Sequence, residues 1–211
     1  RGCGLRVVIS QETSHHTVRE GLDCVVAEPC FPIIVAHGHV AELVAREVDY
    51  IWLPNITTAA EKKSDVDNYV CPWGSTLPYV IRQAPAFRAW RGRILCPTLS
   101  LQRGWDVIRK ELVRVAKDLG VRAGVAAKAF DAALASQQRF QAAYAKAGRA
   151  ALATLDDTGE PGMVLVGRPY NIHDAGVSLS AARKLREQYG VNILPVDALP
   201  LDEIDISDIN D

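Results

Sequence analysis

The sequence predicts an α/β fold built on a mostly parallel sheet, and two observations carry that prediction. Short apolar runs that read as buried strands alternate along the chain with amphipathic helical patterns. A helical stretch over 104–155 separates a first α/β unit from the start of a second, and strands alternating with helices imply a parallel sheet covered on both faces, with right-handed crossovers.

Leu5-Arg6-Val7-Val8-Ile9-Ser10 reads as the first buried strand, near 5–9, and Cys24-Val25-Val26-Ala27 as a weaker second. Pro32 suits a first helical position, and Val35, Val40, Leu43 and Val44 follow at helical spacing as far as Val48. Asp49 to Leu53 is a strand stopped by Pro54, and residues 55–70 form a polar loop too long for simple connection. Thr76 to Phe87 holds a short helix interrupted near Pro85, and Arg93-Ile94-Leu95-Cys96 is a strand stopped by Pro97. From Gly104 to Leu155 the pattern is helical. Val107, Ile108, Leu112, Val115 and Leu119 make one stripe, and Phe130, Leu134 and Tyr144 anchor an alanine-rich second. Asp156 to Gly162 is turn chemistry, after which strands near 163–167 and 191–195 flank a helix at about 177–189. The tail from Leu201 to Asp211 is acidic and frayed. Three segments result: a first lobe over 1–103, a helical block over 104–160, and a truncated start of a second lobe over 161–211.

Composition narrows the function. The 211 residues are 48% hydrophobic and 23% charged, which fits a soluble globular domain with a real core. Charges balance at 24 basic and 25 acidic, so the basic excess of a nucleic-acid binder is missing. No apolar run reaches the roughly 18–20 residues of a membrane span, and no signal-peptide pattern opens the chain. The expectation is a piece of a longer cytoplasmic protein. Five cysteines, an odd number with no CxxC, argue against a disulfide framework or a zinc ribbon. Neither GxGxxG nor GxxxxGK[ST] occurs, so neither glycine-rich phosphate loop is available for a nucleotide.

Parallel sheets bind ligands beyond the carboxyl ends of their strands, so the segments after each strand come first. Glu28-Pro29-Cys30-Phe31-Pro32, Cys71-Pro72 and Cys96-Pro97 share one device there. A thiolate ahead of a helix N-terminus is favoured by the helix dipole, as a metal ligand or nucleophile requires, and Cys-Pro steps recur in iron–sulfur ligation. Each cysteine alone reads equally as packing. His37 and His39 are the rival, one of them serving a cysteine nucleophile, but residues two apart point about 200° from each other on a helix and cannot serve one centre together. Gly38 between them, costing about 1 kcal/mol against alanine, marks a close backbone approach. Arg168 in Gly167-Arg168-Pro169-Tyr170-Asn171 follows a strand, where its guanidinium suits a phosphate or carboxylate. Its alternative is to fix its own turn.

Taken together, Cys30-Phe31-Pro32 running into Val35-Ala36-His37-Gly38-His39-Val40, Asp49 to Pro54, Tyr69-Val70-Cys71-Pro72 and Gly167 to Asn171 resemble a known family. It is the domain of unknown function found in large acyl-CoA dehydratase activase-related proteins, distantly similar to 2-hydroxyacyl-CoA dehydratase subunits. The resemblance covers about residues 5–200. It implies Rossmann-like lobes facing a cleft, with a [4Fe–4S] cluster on three cysteines. Cys30 and Cys71 match the first two metal-ligand positions, and the third is Cys96 or a residue beyond Asp211. His37 and Arg168 are the implied cofactor-binding candidates. The implied function is ATP-driven, low-potential electron transfer to an acyl-CoA, with ATP used by an activase-type ATPase domain as partner. The chain is then one domain of a CoA-thioester dehydratase or reductase system rather than an enzyme by itself. The alternative is a non-catalytic scaffold or docking module for that ATPase domain, without a cluster of its own.

Overall fold

The computed structural model describes residues 2–59 and 68–201. Residues 60–67 of the expected polar loop and 202–211 of the expected frayed tail lie outside them. The chain divides into two compact units, 1–133 and 134–211.

The first unit opens with α1 (His15–Cys24), capped reciprocally: the Thr17 N–H donates to Ser14 Oγ at 3.3 Å and the Ser14 N–H to Thr17 Oγ1 at 3.2 Å. Then come α2 (Phe31–Ala45), β1 (Ile51–Trp52), β2 (Asn55–Thr58) and α3 (Pro72–Gln83). A 3₁₀ turn (Pro85–Trp90) leads to β3 (Ile94–Leu95) and β4 (Thr98–Ser100), and α4 (Trp105–Asp118) follows. The helical block is thus broken, because Gly120 takes the left-handed conformation (φ 81°) that ends α4. α5 (Ala123–Thr158) runs on through the division between the units.

All three ladders among the described residues are parallel: β1 with β3, β2 with β4, and, in the second unit, β5 (Gly162–Leu165) with β6 (Asn192–Pro195). β1–β2 and β3–β4 form one interrupted pair. Ile51, Leu53 and Asn55 donate in turn to the carbonyls of Arg93, Leu95 and Pro97 at 2.8–3.0 Å. The register places Pro54 opposite Pro97, two residues without N–H groups, and there the regular ladder breaks. β1 and β3 thus end before Pro54 and Pro97 as expected, but pairing resumes beyond them, so residues 55–58 of the expected loop form a strand instead.

The core of this unit gathers Val40 of α2, Ile51, Ile94, Ile81 of α3, and Ala84 and Phe87 from the turn after it, all within 3% of full burial. Each of the large side chains contributes about 1.5–3 kcal/mol by leaving water. Arg93 ties the strands together. Its guanidinium carbon lies 3.9 Å from the centre of the Trp90 ring, and it donates to the carbonyls of Val48 and Asp49 ahead of β1.

Two expected strands are corrected. Residues 5–9 form none: Leu5, Val7 and Ile9 are 44–79% exposed, and α2 side chains hold the segment instead. Arg46 donates to the Ile9 carbonyl at 2.9 Å, and the Gln11 N–H donates to the Glu42 carboxylate at 3.0 Å. Residues 24–27 form none either, because Cys24 ends α1 and Val26 is 70% exposed. α1 takes up this part of the chain by packing on α2.

In the second unit β5 leads into α6 (Pro169–His173), then a loop, α7 (Ala181–Tyr189), β6 and a 3₁₀ turn (Val196–Ala198). That turn lies against α5, where a Cβ on Gly148 would stand 1.8 Å from the Ala198 carbonyl oxygen.

Candidate functional site

Cys30, Cys71 and Arg168 share one local geometry. Each is the N-cap residue of a helix whose first or second position is proline, with an extended ψ of 153°, 132° and 147°. Proline supplies a helical φ at a position whose N–H would go unused, and Pro72 and Pro169 disfavour the helical region for the residues directly before them, Cys71 and Arg168. The Cys30 carbonyl accepts from the N–H groups of Ile33 and Ile34, the Cys71 carbonyl from Ser75, and the Arg168 carbonyl from Asn171 and Ile172. Neither thiol caps its own helix.

The Cys30 side chain is exposed. Cys71 is half-buried and lies beside β2, since the chain before it runs back antiparallel to that strand: Tyr69 bridges to Thr58 and the Val70 N–H donates to the Thr57 carbonyl at 3.1 Å. Cys96 packs against the core with its Sγ 3.7 Å from the Ile94 carbonyl oxygen, and burial pushes its thiol pKa up. Burial also raises the Cys24 thiol at the end of α1, helped by Glu20 and Asp23. Cys3 is half-buried, and none of the five cysteines is joined in a disulfide.

His37 and His39 have separate partners. His37 is 2% exposed, with Nδ1 2.8 Å from the Ile33 carbonyl and its ring 6.1 Å from that of Phe87. Burial lowers its pKa, outweighing that hydrogen bond. His39 Nε2 lies 3.0 Å from Thr13 Oγ1. The close backbone approach signalled by Gly38 is that of α1, the Thr17 carbonyl lying where a Gly38 side chain would go.

Among the described residues no group of three or more His, Cys, Asp or Glu side chains is arranged to hold a metal ion. A three-thiolate cluster site is therefore not assembled from them: two cysteines stand at helix starts, while Cys96 is committed to the core.

Arg168 is exposed and donates to Tyr170 Oη at 3.1 Å, within its own turn. A cluster that the sequence reading missed lies in the same unit. His173 Nε2 is 2.8 Å from Asp197 Oδ2, and Tyr144 Oη donates to Asp197 Oδ1 at 3.2 Å. The Tyr144 ring meets the His173 ring edge-on, and burial with the Asp197 charge pushes its phenol pKa up. His173 lines a cleft of about 460 Å³ that runs past Leu165 and Pro195, the last residues of β5 and β6, beneath Arg183 and Arg186 of α7. The usable signal was position, since His173 and Asp197 each follow a parallel strand.

No helix among the described residues is long and apolar enough to cross a membrane. No match is found among curated proteins or among solved structures. A family model does match, over residues 1–199, and it is described as the CoA enzyme activase uncharacterised domain.

Proposed function

Since the chain belongs to the family of the CoA enzyme activase uncharacterised domain, we propose that it serves a CoA-thioester dehydratase or reductase system as a cofactor-bearing domain. In this reading Cys30 and Cys71 supply two thiolates to a [4Fe–4S] site completed from outside the described residues. The group, when bound, would supply low-potential electron transfer to the acyl-CoA, with ATP spent by an activase-type ATPase partner. The observation that carries the reading is the shared helix start: two non-adjacent cysteines, each an N-cap residue with its thiol not spent on capping. The positive end of a helix favours a thiolate there.

Other residues support the same reading in lesser roles. His37 is a positioning residue, its ring hydrogen-bonded to the carbonyl of Ile33 in the helical turn that Cys30 caps. Arg168 offers a guanidinium at the end of β5 for the phosphates of a thioester substrate. The paired parallel strands and helix crossovers fit two Rossmann-like lobes, and five cysteines outside any disulfide suit a reducing cytoplasmic setting.

The test is anaerobic reconstitution of the chain with iron and sulfide, followed by visible spectroscopy and iron analysis. A brown chromophore that Cys30→Ser and Cys71→Ser each abolish is the expected result. A folded protein that takes up no iron, or takes it up equally in both variants, overturns the cluster assignment.

A further inference from the structure

We propose that the cleft at the carboxyl ends of β5 and β6 is a second ligand site, specific for an oxyanion carried on a small apolar body. The proposal does not depend on the cysteines or on a cluster. It rests on where the second unit places its charged side chains.

The floor of the cleft is apolar, formed by Leu165, Ile172, Ile193 and Pro195. Its volume of about 460 Å³ falls within the roughly 300–1,000 Å³ of small-molecule sites. Its rim is cationic, with Arg183 and Arg186 against the single carboxylate of Glu187. Arg186 lines the cleft and is anchored from the amino end of β6: it donates to Asn192 Oδ1 at 2.5 Å, and the Asn192 amide donates in turn to Glu160 Oε2 at 2.9 Å. Among the described residues the rest of its planar fork makes no further hydrogen bond and remains for a ligand. Arg183 meets Glu187 at 3.5 Å, with side chains 66% and 60% exposed. Such a surface pair contributes little, so an incoming anion can displace it at small cost.

His173 completes the site. The motif Gly167-Arg168-Pro169-Tyr170-Asn171 starts a one-turn helix that buries Ile172 and delivers His173 to the cleft wall. Its Nε2 is held by the Asp197 carboxylate, which fixes the ring, and in the protonated ring Nδ1–H is left to donate to an anion. Asp197 is itself steadied by the Tyr144 hydroxyl, and its turn is seated on α5 at Gly148. An oriented histidine and two arginines around an apolar floor, beyond the ends of two parallel strands, are what recognition of a phosphate or carboxylate needs. Position therefore assigns the strand-end motif a second purpose, which is to present His173.

Isothermal titration of the full chain with phenyl phosphate, benzoate, inorganic phosphate and uncharged benzyl alcohol tests this. Phenyl phosphate or benzoate should bind saturably and more tightly than inorganic phosphate, and whichever wins names the anion. Arg183→Gln, Arg186→Gln and His173→Ala should each weaken that binding about tenfold or more, while Arg103→Gln in the other unit should not. Arg183 is exposed, so its variant will fold even if the others do not. Unchanged binding in Arg183→Gln, benzyl alcohol binding as well as the anions, or no saturable binding of any probe overturns the proposal.

Discussion

Gly21 of α1 and Gly38 of α2 meet where two helix backbones touch. A Cβ on Gly21 would lie 2.0 Å from the Ile34 carbonyl oxygen, and one on Gly38 1.9 Å from that of Thr17. Both obstacles are backbone, which cannot rotate aside. Gly38→Ala should therefore destabilise the chain by about 2 kcal/mol, because overpacking of roughly 1–3 kcal/mol exceeds the ~1 kcal/mol that alanine brings to a helix interior. Gly124→Ala, which meets open space in α5, should be neutral or stabilise by about 0.5 kcal/mol. Urea melts of both variants check this, and equal midpoints would refute the close contact.

The buried imidazole of His37 makes stability depend on pH. Its pKa lies below the ordinary 6.5, so near that value the unfolded chain takes up a proton that the folded chain does not. Stability then falls as pH drops through 6.5 and is flat in this respect above it. Melting temperatures followed from neutral to mildly acidic pH should decline more steeply for the natural chain than for His37→Gln. Parallel curves would show that the ring is not kept neutral by burial.

Thiol reactivity should rank by position. Cys30, exposed at its helix start, should be alkylated first, and Cys24 and Cys96, whose thiols burial raises, should lag several-fold. Peptide mass mapping over a time course of iodoacetamide decides it, and Cys96 reacting ahead of Cys30 would contradict the packing described.

Arg93 joins what Pro97 weakens. Removing its contacts with Trp90 and with the carbonyls of Val48 and Asp49 in Arg93→Ala should cost about 1–3 kcal/mol. Arg93→Lys keeps the charge over the ring but not the forked donation, and should recover less than half. Denaturant midpoints for the pair distinguish these; full recovery by lysine would mean that the carbonyl contacts contribute nothing.

Sequence pattern revealed some of this and hid the rest for identifiable reasons. The strands near 51, 94, 163 and 192 were legible because apolar runs bounded by proline or glycine have few other uses. The helix start at Cys30 was legible from Pro32, whereas the helix expected from Thr76 begins a turn earlier, at Pro72. α1 was invisible because its buried residues are Thr17 and Gly21, a face too small and polar for hydrophobic periodicity to register. Leu5 to Ile9 misled for the opposite reason: β-forming residues make a strand only where a partner accepts their hydrogen bonds. The cluster of Tyr144, His173 and Asp197 draws on three elements, with Asp197 24 and 53 residues from its two partners, so no local motif records it.

The opposed prolines of the first unit have a consequence for how this protein meets other chains. Ile51, Leu53 and Asn55 point their N–H groups inward to the neighbouring strand, so by alternation residue 54 faces the outer side of β1–β2. Pro54 offers no donor there. An extended segment from a second molecule that tried to lengthen this sheet would find its rung missing midway along the strand. Unprotected strand edges template aggregation, and proline on such an edge is a recognised safeguard. Pro97 interrupts the internal ladder, whereas Pro54 leaves that ladder intact and discourages self-association through the outer side of the sheet.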